Sequence, residues 1–259
     1  MRNMLRVSVS FFLVSAACLT ANAAEIKILA GDLPPMMNSD GTGREAEIIK
    51  TTLERCGHAV KFEVQPFTRH WASFKDGAGD AVTTVPPGLP LPGTPTSQYI
   101  AYQNGVAFLA SRPQPFETLA DLNGNSVVAF KGAAEIIPGF GDASKGFSEY
   151  REMADQITQN KLVFGGRAAA AVGDGMIFAE YSRQLQESKE ALPFDPNQPV
   201  RFNALFEPSP YVMQFRDPAH AADFDRCFKE AEADGTIAKI NKAWVDKYRD
   251  TLGSSYLNY

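Results

Sequence analysis

Residues 105–132 read GVAFLASRPQPFETLADLNGNSVVAFKG, and this stretch decides the fold class. Apolar runs occupy Gly105–Ala110 and Val127–Phe130, and short runs of this kind bounded by turn residues are typical of buried strands. Between them, Thr118 begins a short helical segment that ends at Gly124. A strand, a helix and a second strand in this order predict a parallel α/β sheet.

The alternation of strands and helices continues on both sides of this stretch. Apolar runs of strand length are Glu25–Ala30, Val60–Val64, Asp80–Val85, Gly166–Val172, Val200–Leu205 and Tyr211–Phe215. Patterns at helical spacing are Arg44–Cys56, Thr68–Asp76, Met176–Ser188, a segment from Asp217-Pro218 to Ala233, and Thr236–Tyr248. Residues 86–95 are rich in proline and are predicted to form an exposed loop or rim. A chain of 259 residues has room for two α/β lobes.

Composition excludes several classes of protein. Apolar residues make up 44% of the chain, which is enough for a packed core, and the formal net charge of −5 argues against nucleic-acid binding. The three Cys and three His residues do not have the spacing of a zinc site. The sequence contains no phosphate-binding loop, His-Glu-x-x-His or Gly-x-Ser-x-Gly motif. We therefore expect neither a metal nor a cofactor.

The first 23 residues have the features of a secretory signal peptide. Arg2 and Arg6 precede an apolar run from Val7 to Leu19, and the small residues of Ala21-Asn22-Ala23 follow it. The run is shorter than the roughly 20 apolar residues that a membrane helix needs. We expect cleavage after Ala23 and export of the remaining chain to the periplasm.

Export places two cysteines, Cys56 and Cys227, in an oxidising compartment. Each lies within a predicted helix or at its end. Two interpretations fit the sequence. The cysteines form a disulfide, or they are two small buried thiols, since free cysteine is commonly buried.

A series of short motifs follows the leader. They are Gly31-Asp32-Leu33-Pro34-Pro35, Pro66-Phe67-Thr68-Arg69, Asp76-Gly77-x-x-Asp80-Ala81, Gly105–Ser111, Leu119-x-Asp121-Leu122-x-Gly124, Val127–Gly132, Pro210-Tyr211, Asp217-Pro218 and Asp234-Gly235-Thr236. In this order and at these separations they resemble the bacterial extracellular solute-binding proteins of family 3, which are type II periplasmic binding proteins. The resemblance spans the whole chain after the leader.

The resemblance implies two α/β lobes joined by a two-strand hinge, with a ligand cleft between them. The first lobe would hold residues 24–108 and 208–259, and the second lobe would hold residues 109–207. Cys56 and Cys227 would then both lie in the first lobe. A disulfide between them would not cross the hinge, so it would not hinder closure of the lobes.

The resemblance also places six residues in the cleft as expected ligand contacts. These are Asp32, Arg69, Thr83, Thr84, Lys131 and Asp174. Asp32 is otherwise a turn residue, and Arg69 is otherwise a solvated residue in the first turn of a helix. Thr83 and Thr84 end a strand, so one of the two should point into the core, because strand side chains alternate.

Asp174 lies between two glycines at the end of a predicted strand, and it is either a turn residue or an exposed acid that binds a ligand ammonium. In the latter case Asp174 and Arg69 would hold opposite ends of one ligand across the cleft. Relatives that bind amino acids carry an arginine after the third strand, whereas this chain reads Val85-Pro86-Pro87-Gly88-Leu89-Pro90. Either Arg69 or Arg44 binds the carboxylate instead, or the ligand is not an ordinary α-amino acid.

The function implied is capture of a small polar ligand by closure of the two lobes. The ligand would be an amino acid or a related zwitterion or organic acid. The other partner would be an ABC-type permease or a sensor receptor, and the protein would act as a monomer. The same family includes cyclohexadienyl dehydratases, so a periplasmic lyase on the same fold is the alternative.

Overall fold

The computed structural model describes residues 25–254, 256 and 257, and these residues form two β-sheets flanked by helices. The predicted leader, residues 1–23, lies outside the described residues. No helix in the described part of the chain has the length and apolar character needed to cross a membrane. Strands and helices alternate along most of the chain, and the predicted α/β class is confirmed.

The described residues contain eleven strands and nine α-helices. The strands are β1 (Glu25–Asp32), β2 (Ala59–Pro66), β3 (Ala81–Val85), β4 (Thr94–Pro95), β5 (Ile100–Tyr102), β6 (Asn104–Leu109), β7 (Ser126–Phe130), β8 (Glu149–Met153), β9 (Ala170–Asp174), β10 (Val200–Ala204) and β11 (Ser209–Phe215). The helices are α1 (Arg44–Arg55), α2 (Arg69–Lys75), α3 (Ala133–Ile136), α4 (Phe140–Ala143), α5 (Ile157–Phe164), α6 (Gly175–Glu187), α7 (Pro218–Ala233), α8 (Thr236–Asp246) and α9 (Arg249–Leu252).

The first sheet has the strand order β2-β1-β3-β11-β4, and β5 also pairs with β11. β1 lies between β2 and β3 and is parallel to both. On one face Ile28 packs in a cluster with Ile49 of α1, and on the other face Leu29 packs with Phe74 of α2. Because side chains alternate along a strand, both faces of β1 are covered by helices. This sheet and its helices form the first lobe.

The second sheet has the order β10-β6-β9-β7-β8 and forms the second lobe. The chain enters it at Gln103, between β5 and β6, and leaves it through residues 205–208, between β10 and β11. We call these the first and second crossings. The predicted first boundary, after residue 108, lies too late in the chain. β6 pairs with β9 and β10, and its Val106 and Phe108 are buried in the core of the second lobe.

The C-terminal segment also departs from the predicted division, because residues after α8 pack on the second lobe. α9 contacts α6 and β10, and both Leu252 and Tyr256 are fully buried. Gly175 makes room for this packing, since a Cβ there would lie 2.7 Å from the ring of Phe202 and 2.9 Å from Leu252. The segment forms a third connection between the lobes, held by buried apolar surface.

A disulfide joins Cys56, directly after α1, to the buried Cys227 of α7. Both helices belong to the first lobe, so the bond does not cross between the lobes. It ties together two helices from opposite ends of the chain, 171 residues apart in sequence.

We predict that the double substitution Cys56→Ser and Cys227→Ser lowers the free energy of unfolding by about 2–5 kcal/mol, because the open chain gains entropy when unfolded. Urea denaturation of both proteins measures the difference. Alkylation of periplasmic material without reduction, followed by mass spectrometry, should find neither thiol modified. Two modified thiols would contradict the bond.

Candidate functional site

The two lobes face each other across a cleft whose interior is a small, mainly apolar space. We call it the inner chamber; it is lined by Leu33, Phe67, Tyr102, Asn104, Phe130, Gln156, Asp174, Ile177 and Tyr211. These residues come from both lobes and from strands that flank both crossings. Its volume of about 20 Å³ is enough for one water molecule. A ligand therefore has to enter with the lobes further apart.

A second, larger space continues from the inner chamber, with which it shares Tyr211. We call it the outer groove; it has a volume of about 540 Å³ and is lined by Pro86, Pro87, Leu119, Ile136, Pro138 and residues 205–211. Pro86 and Pro87 come from the first lobe, whereas Ile136 and Pro138 come from the second. The stretch that replaces the expected arginine thus forms an apolar wall of the cleft.

Aromatic side chains shape the inner chamber. Phe67 packs against β1 where Gly31 leaves space, since a Cβ at Gly31 would lie 2.9 Å from the Phe67 ring. Tyr102 and Tyr211, on neighbouring strands beside the two crossings, have ring centroids 4.8 Å apart. Trp71 instead belongs to the first lobe, where its indole Nε1 donates to the carbonyl of Thr83 at 3.1 Å.

Three of the predicted contacts, Asp32, Arg69 and Lys131, have exposed side chains. Asp32 and Lys131 are chain neighbours of chamber residues Leu33 and Phe130, so they lie at its rim. Among the described residues, none of these three side chains forms a hydrogen bond or an ion pair.

Asp32 faces the second lobe. Burial raises the pKa of the Tyr181 hydroxyl on α6, and the Asp32 carboxylate raises it further. Partial removal from water also raises the pKa of Asp32 itself above its ordinary value. The rim of the cleft therefore carries charge, and its interior is mainly apolar.

Thr83 and Thr84 do not face the cleft as expected. Both are fully buried, and their hydroxyls lie 3.1 Å apart. The Thr84 hydroxyl donates to the Glu45 carboxylate at 2.8 Å. Thr84 also has a left-handed backbone (φ 55°), which turns the chain from β3 into the outer groove. A sequence pattern cannot show which strand side chain forms a hydrogen bond with a residue far away along the chain.

Glu45 is a buried carboxylate that sequence reasoning missed. It accepts hydrogen bonds from Thr84, from the Tyr102 hydroxyl at 2.7 Å and from the Tyr99 hydroxyl. Burial raises its pKa, and these hydrogen bonds partly oppose the rise. In the sequence, Glu45 is an ordinary acid in the first turn of an amphipathic helix, so nothing local distinguishes it from a solvated residue.

The neighbouring Arg44 is also buried and binds the same stretch of chain. Its Nη1 donates to the carbonyl of Ala101 in β5 at 3.2 Å, and its Nε donates to Asn241 Oδ1 at 2.9 Å. Arg44 therefore does not reach into the cleft to bind a ligand carboxylate. The start of α1 holds the strand that leads into the first crossing.

Asp174 is not the exposed acid that the sequence suggested. It is only 3% exposed, and its Oδ1 accepts from the backbone N–H groups of Met176 and Ile177 as the N-cap of α6. Its Oδ2 accepts from the Gln103 N–H at 2.9 Å and from the Tyr256 hydroxyl at 2.7 Å. With both oxygens engaged, Asp174 and Arg69 do not form a pair that holds opposite ends of a ligand. An aspartate directly before a predicted helix is itself the signal of a cap.

Sequence comparison with known proteins finds no matching family model and no matching curated protein. Comparison of structures finds many with this fold. An ancestral arginine-binding protein bound to arginine has 18% identity and a TM-score of 0.66, covering 85% of this chain and 97% of its own. A histidine kinase sensor domain with similarity to periplasmic binding proteins has 17% identity and a TM-score of 0.65, covering 85% and 96%.

A third similar structure is an ancestral amino acid-binding protein, described as a precursor of cyclohexadienyl dehydratase. It has 19% identity and a TM-score of 0.62, covering 85% of this chain and 94% of its own. The similarity extends over nearly the full length of all three structures. It establishes that this chain has the two-lobed fold of the type II periplasmic binding proteins.

We predict that Asp174→Ala lowers the free energy of unfolding by at least about 3 kcal/mol, because it leaves buried donors without an acceptor and removes a helix cap. Tyr256→Phe, which removes one of the four donors, should cost about 1 kcal/mol. Urea denaturation measures both. Asp32→Ala is the matched control at an exposed acid and should change stability by less than about 0.5 kcal/mol. If Asp174→Ala and Asp32→Ala changed the free energy of unfolding equally, the structural role of the buried Asp174 would be contradicted.

The raised pKa of Glu45 predicts a pH dependence of stability. A carboxyl with a higher pKa in the folded state contributes stability below its unfolded pKa, and this contribution is lost as pH rises through the folded pKa. Glutamine does not titrate, so the Glu45→Gln variant has no such pH-dependent contribution to its stability. The stability of the wild type relative to Glu45→Gln should therefore be greatest below the ordinary glutamate pKa of about 4.3 and decrease as pH rises above it, measured by urea denaturation. A pH-independent difference would refute the assignment.

Proposed function

We propose that this protein binds a small molecule between its two lobes and closes around it. One observation carries the proposal: the inner chamber is built from both lobes and from the strands beside both crossings. A molecule in contact with both walls binds the closed arrangement better than the open one. This difference in affinity is what drives closure.

The same proposal gives each rim residue a role. Asp32 and Lys131 are exposed and form no salt bridge among the described residues, so their charges are available to a ligand that enters the cleft. Glu152 lies near Lys131, whose charge lowers the pKa of the Glu152 carboxyl. Exposed ion pairs contribute little affinity, of the order of 0–1 kcal/mol each. They assist entry and orientation, and the largely apolar walls of the cleft supply most of the binding energy.

We further propose that the protein is exported to the periplasm, where it passes its ligand to an ABC-type permease or presents it to a sensor receptor. The signal-peptide features of residues 1–23 and the disulfide of the first lobe both support an oxidising compartment. The permease or the receptor would bind the protein with its lobes closed. Closure would therefore be the signal that a ligand is bound, for either partner.

Binding is favoured over catalysis by the state of the acids near the cleft. A general acid or base needs a proton-accepting oxygen within reach of the substrate. Both oxygens of Asp174, the acid in the chamber wall, are already engaged, and the other two acids considered, Asp32 and Glu135, are exposed. Turnover of prephenate or arogenate by the purified protein would overturn this preference and establish a lyase.

The test is a thermal-shift screen of amino acids, polyamines, organic acids and small aromatic compounds, followed by calorimetric titration of each stabilising compound. A ligand at 100 times its dissociation constant adds about 2.7 kcal/mol of stability. We predict that Gln156→Trp abolishes binding, because Gln156 is half-buried in the chamber wall and a large indole there fills the space.

The matched control is Ala238→Trp, which places the same side chain at an exposed position on α8, in a cavity outside the cleft. It should leave binding unchanged. Unfolding of both variants by urea checks that neither substitution disturbs the fold. If Gln156→Trp binds like the wild type, the ligand does not use the inner chamber, and the proposed function, which rests on that chamber, is wrong.

A further inference from the structure

The outer groove has walls that offer few hydrogen-bond donors, and the side-chain donors among them are the hydroxyls of Ser209 and Tyr211. Five of its residues are prolines, namely Pro86, Pro87, Pro138, Pro208 and Pro210. Proline has no backbone N–H, so these positions cannot donate to a carboxylate or a phosphate. The groove has no cationic side chain, and its one acidic residue, Glu207, is exposed. A charged group inside the groove would lose its water without gaining partners, which is costly.

The remaining walls of the groove are apolar side chains. Leu119 and Ile136 come from the second lobe, and Leu205 and Phe206 come from the second crossing. All four are only partly buried, so they present apolar surface to the groove. Removal of such surface from water by an apolar ligand contributes roughly 25 cal/mol per Å².

A tyrosine hydroxyl also lies beside this space. Tyr211 lines both the groove and the inner chamber and is only 5% exposed as a residue. Its hydroxyl has no hydrogen-bond partner among the described residues, and the oxygen itself is not fully buried. The hydroxyl is therefore one polar contact that a ligand can reach.

The volume of the outer groove limits the kind of molecule that can bind there. A volume of about 540 Å³ lies within the roughly 300–1,000 Å³ of small-molecule sites. A protein partner would instead need a total interface of roughly 1,000 Å² or more. The fixed backbone of the proline residues keeps the walls preorganised, which suits a rigid, flat molecule better than a flexible chain.

We infer that the ligand of this cleft is a small molecule with an apolar, ring-bearing body that lies in the outer groove. This inference rests on the proposed function and names its ligand class. Any charge that the ligand carries stays at the rim, near Asp32 and Lys131. Because the groove is formed by both lobes and the second crossing, its occupant is placed to favour the closed arrangement.

The test uses N-phenyl-1-naphthylamine, a neutral two-ring probe whose fluorescence rises in apolar surroundings. The exported protein should bind it, and indole should displace it, whereas L-arginine and L-glutamate should not. Ile136→Lys should weaken probe binding by more than about tenfold, because it places an ammonium in a wall without partners. Pro138→Lys, at an exposed position of the same wall, should act in the same direction, and urea denaturation checks that both variants are folded.

Ala238→Lys is the matched control, because it places the same charge in the cavity outside the cleft. It should leave probe affinity within about twofold of the wild type. An equal loss in Ala238→Lys would show that the probe binds elsewhere and would overturn the inference. So would tight binding of L-arginine or L-glutamate that neither groove substitution affects. In that case Gln156→Trp still decides separately whether the cleft is the binding site.

Discussion

The carboxylate of Glu45 is the constraint on which the arrangement of the cleft depends. It is buried at the start of α1 and accepts hydrogen bonds from Thr84 at the end of β3 and from two tyrosines, Tyr99 and Tyr102, on either side of Ile100 and Ala101. Removal of a charge from water is costly unless its hydrogen bonds are made. These donors therefore have to meet at one point, which holds β3, α1 and the first crossing together.

A second buried carboxylate lies on the other side of the same crossing. Asp174 accepts from the backbone N–H of Gln103, so acids from both lobes hold the first crossing, Glu45 through Tyr102 and Asp174 through Gln103. The Tyr256 hydroxyl completes this site and brings the C-terminal segment onto the second lobe. Thr84 and Asp174, which the sequence placed among the ligand contacts, thus hold the frame of the cleft, and the exposed charges of Asp32 and Lys131 lie at its rim.

Local patterns predicted the fold well where periodicity and end signals agreed. Asp217-Pro218 begins α7 and Gly235 precedes α8, as expected from cap preferences. Residues 133–165 carried no strong pattern, and there the sequence analysis missed β8 and the short helices α3, α4 and α5. β8 is an edge strand with only partly buried or exposed residues, so it lacks the apolar run that identifies a buried strand.

The sequence by itself determined the α/β class, most helices and strands and the apolar character of the stretch after Val85, because these depend on neighbouring residues. Only the tertiary structure decided which polar residues are buried. Thr84 and Glu45 are 39 positions apart and Asp174 and Tyr256 are 82 apart, so no local pattern joins them. Burial depends on what packs against a side chain, and for Asp174 that partner is the far end of the chain.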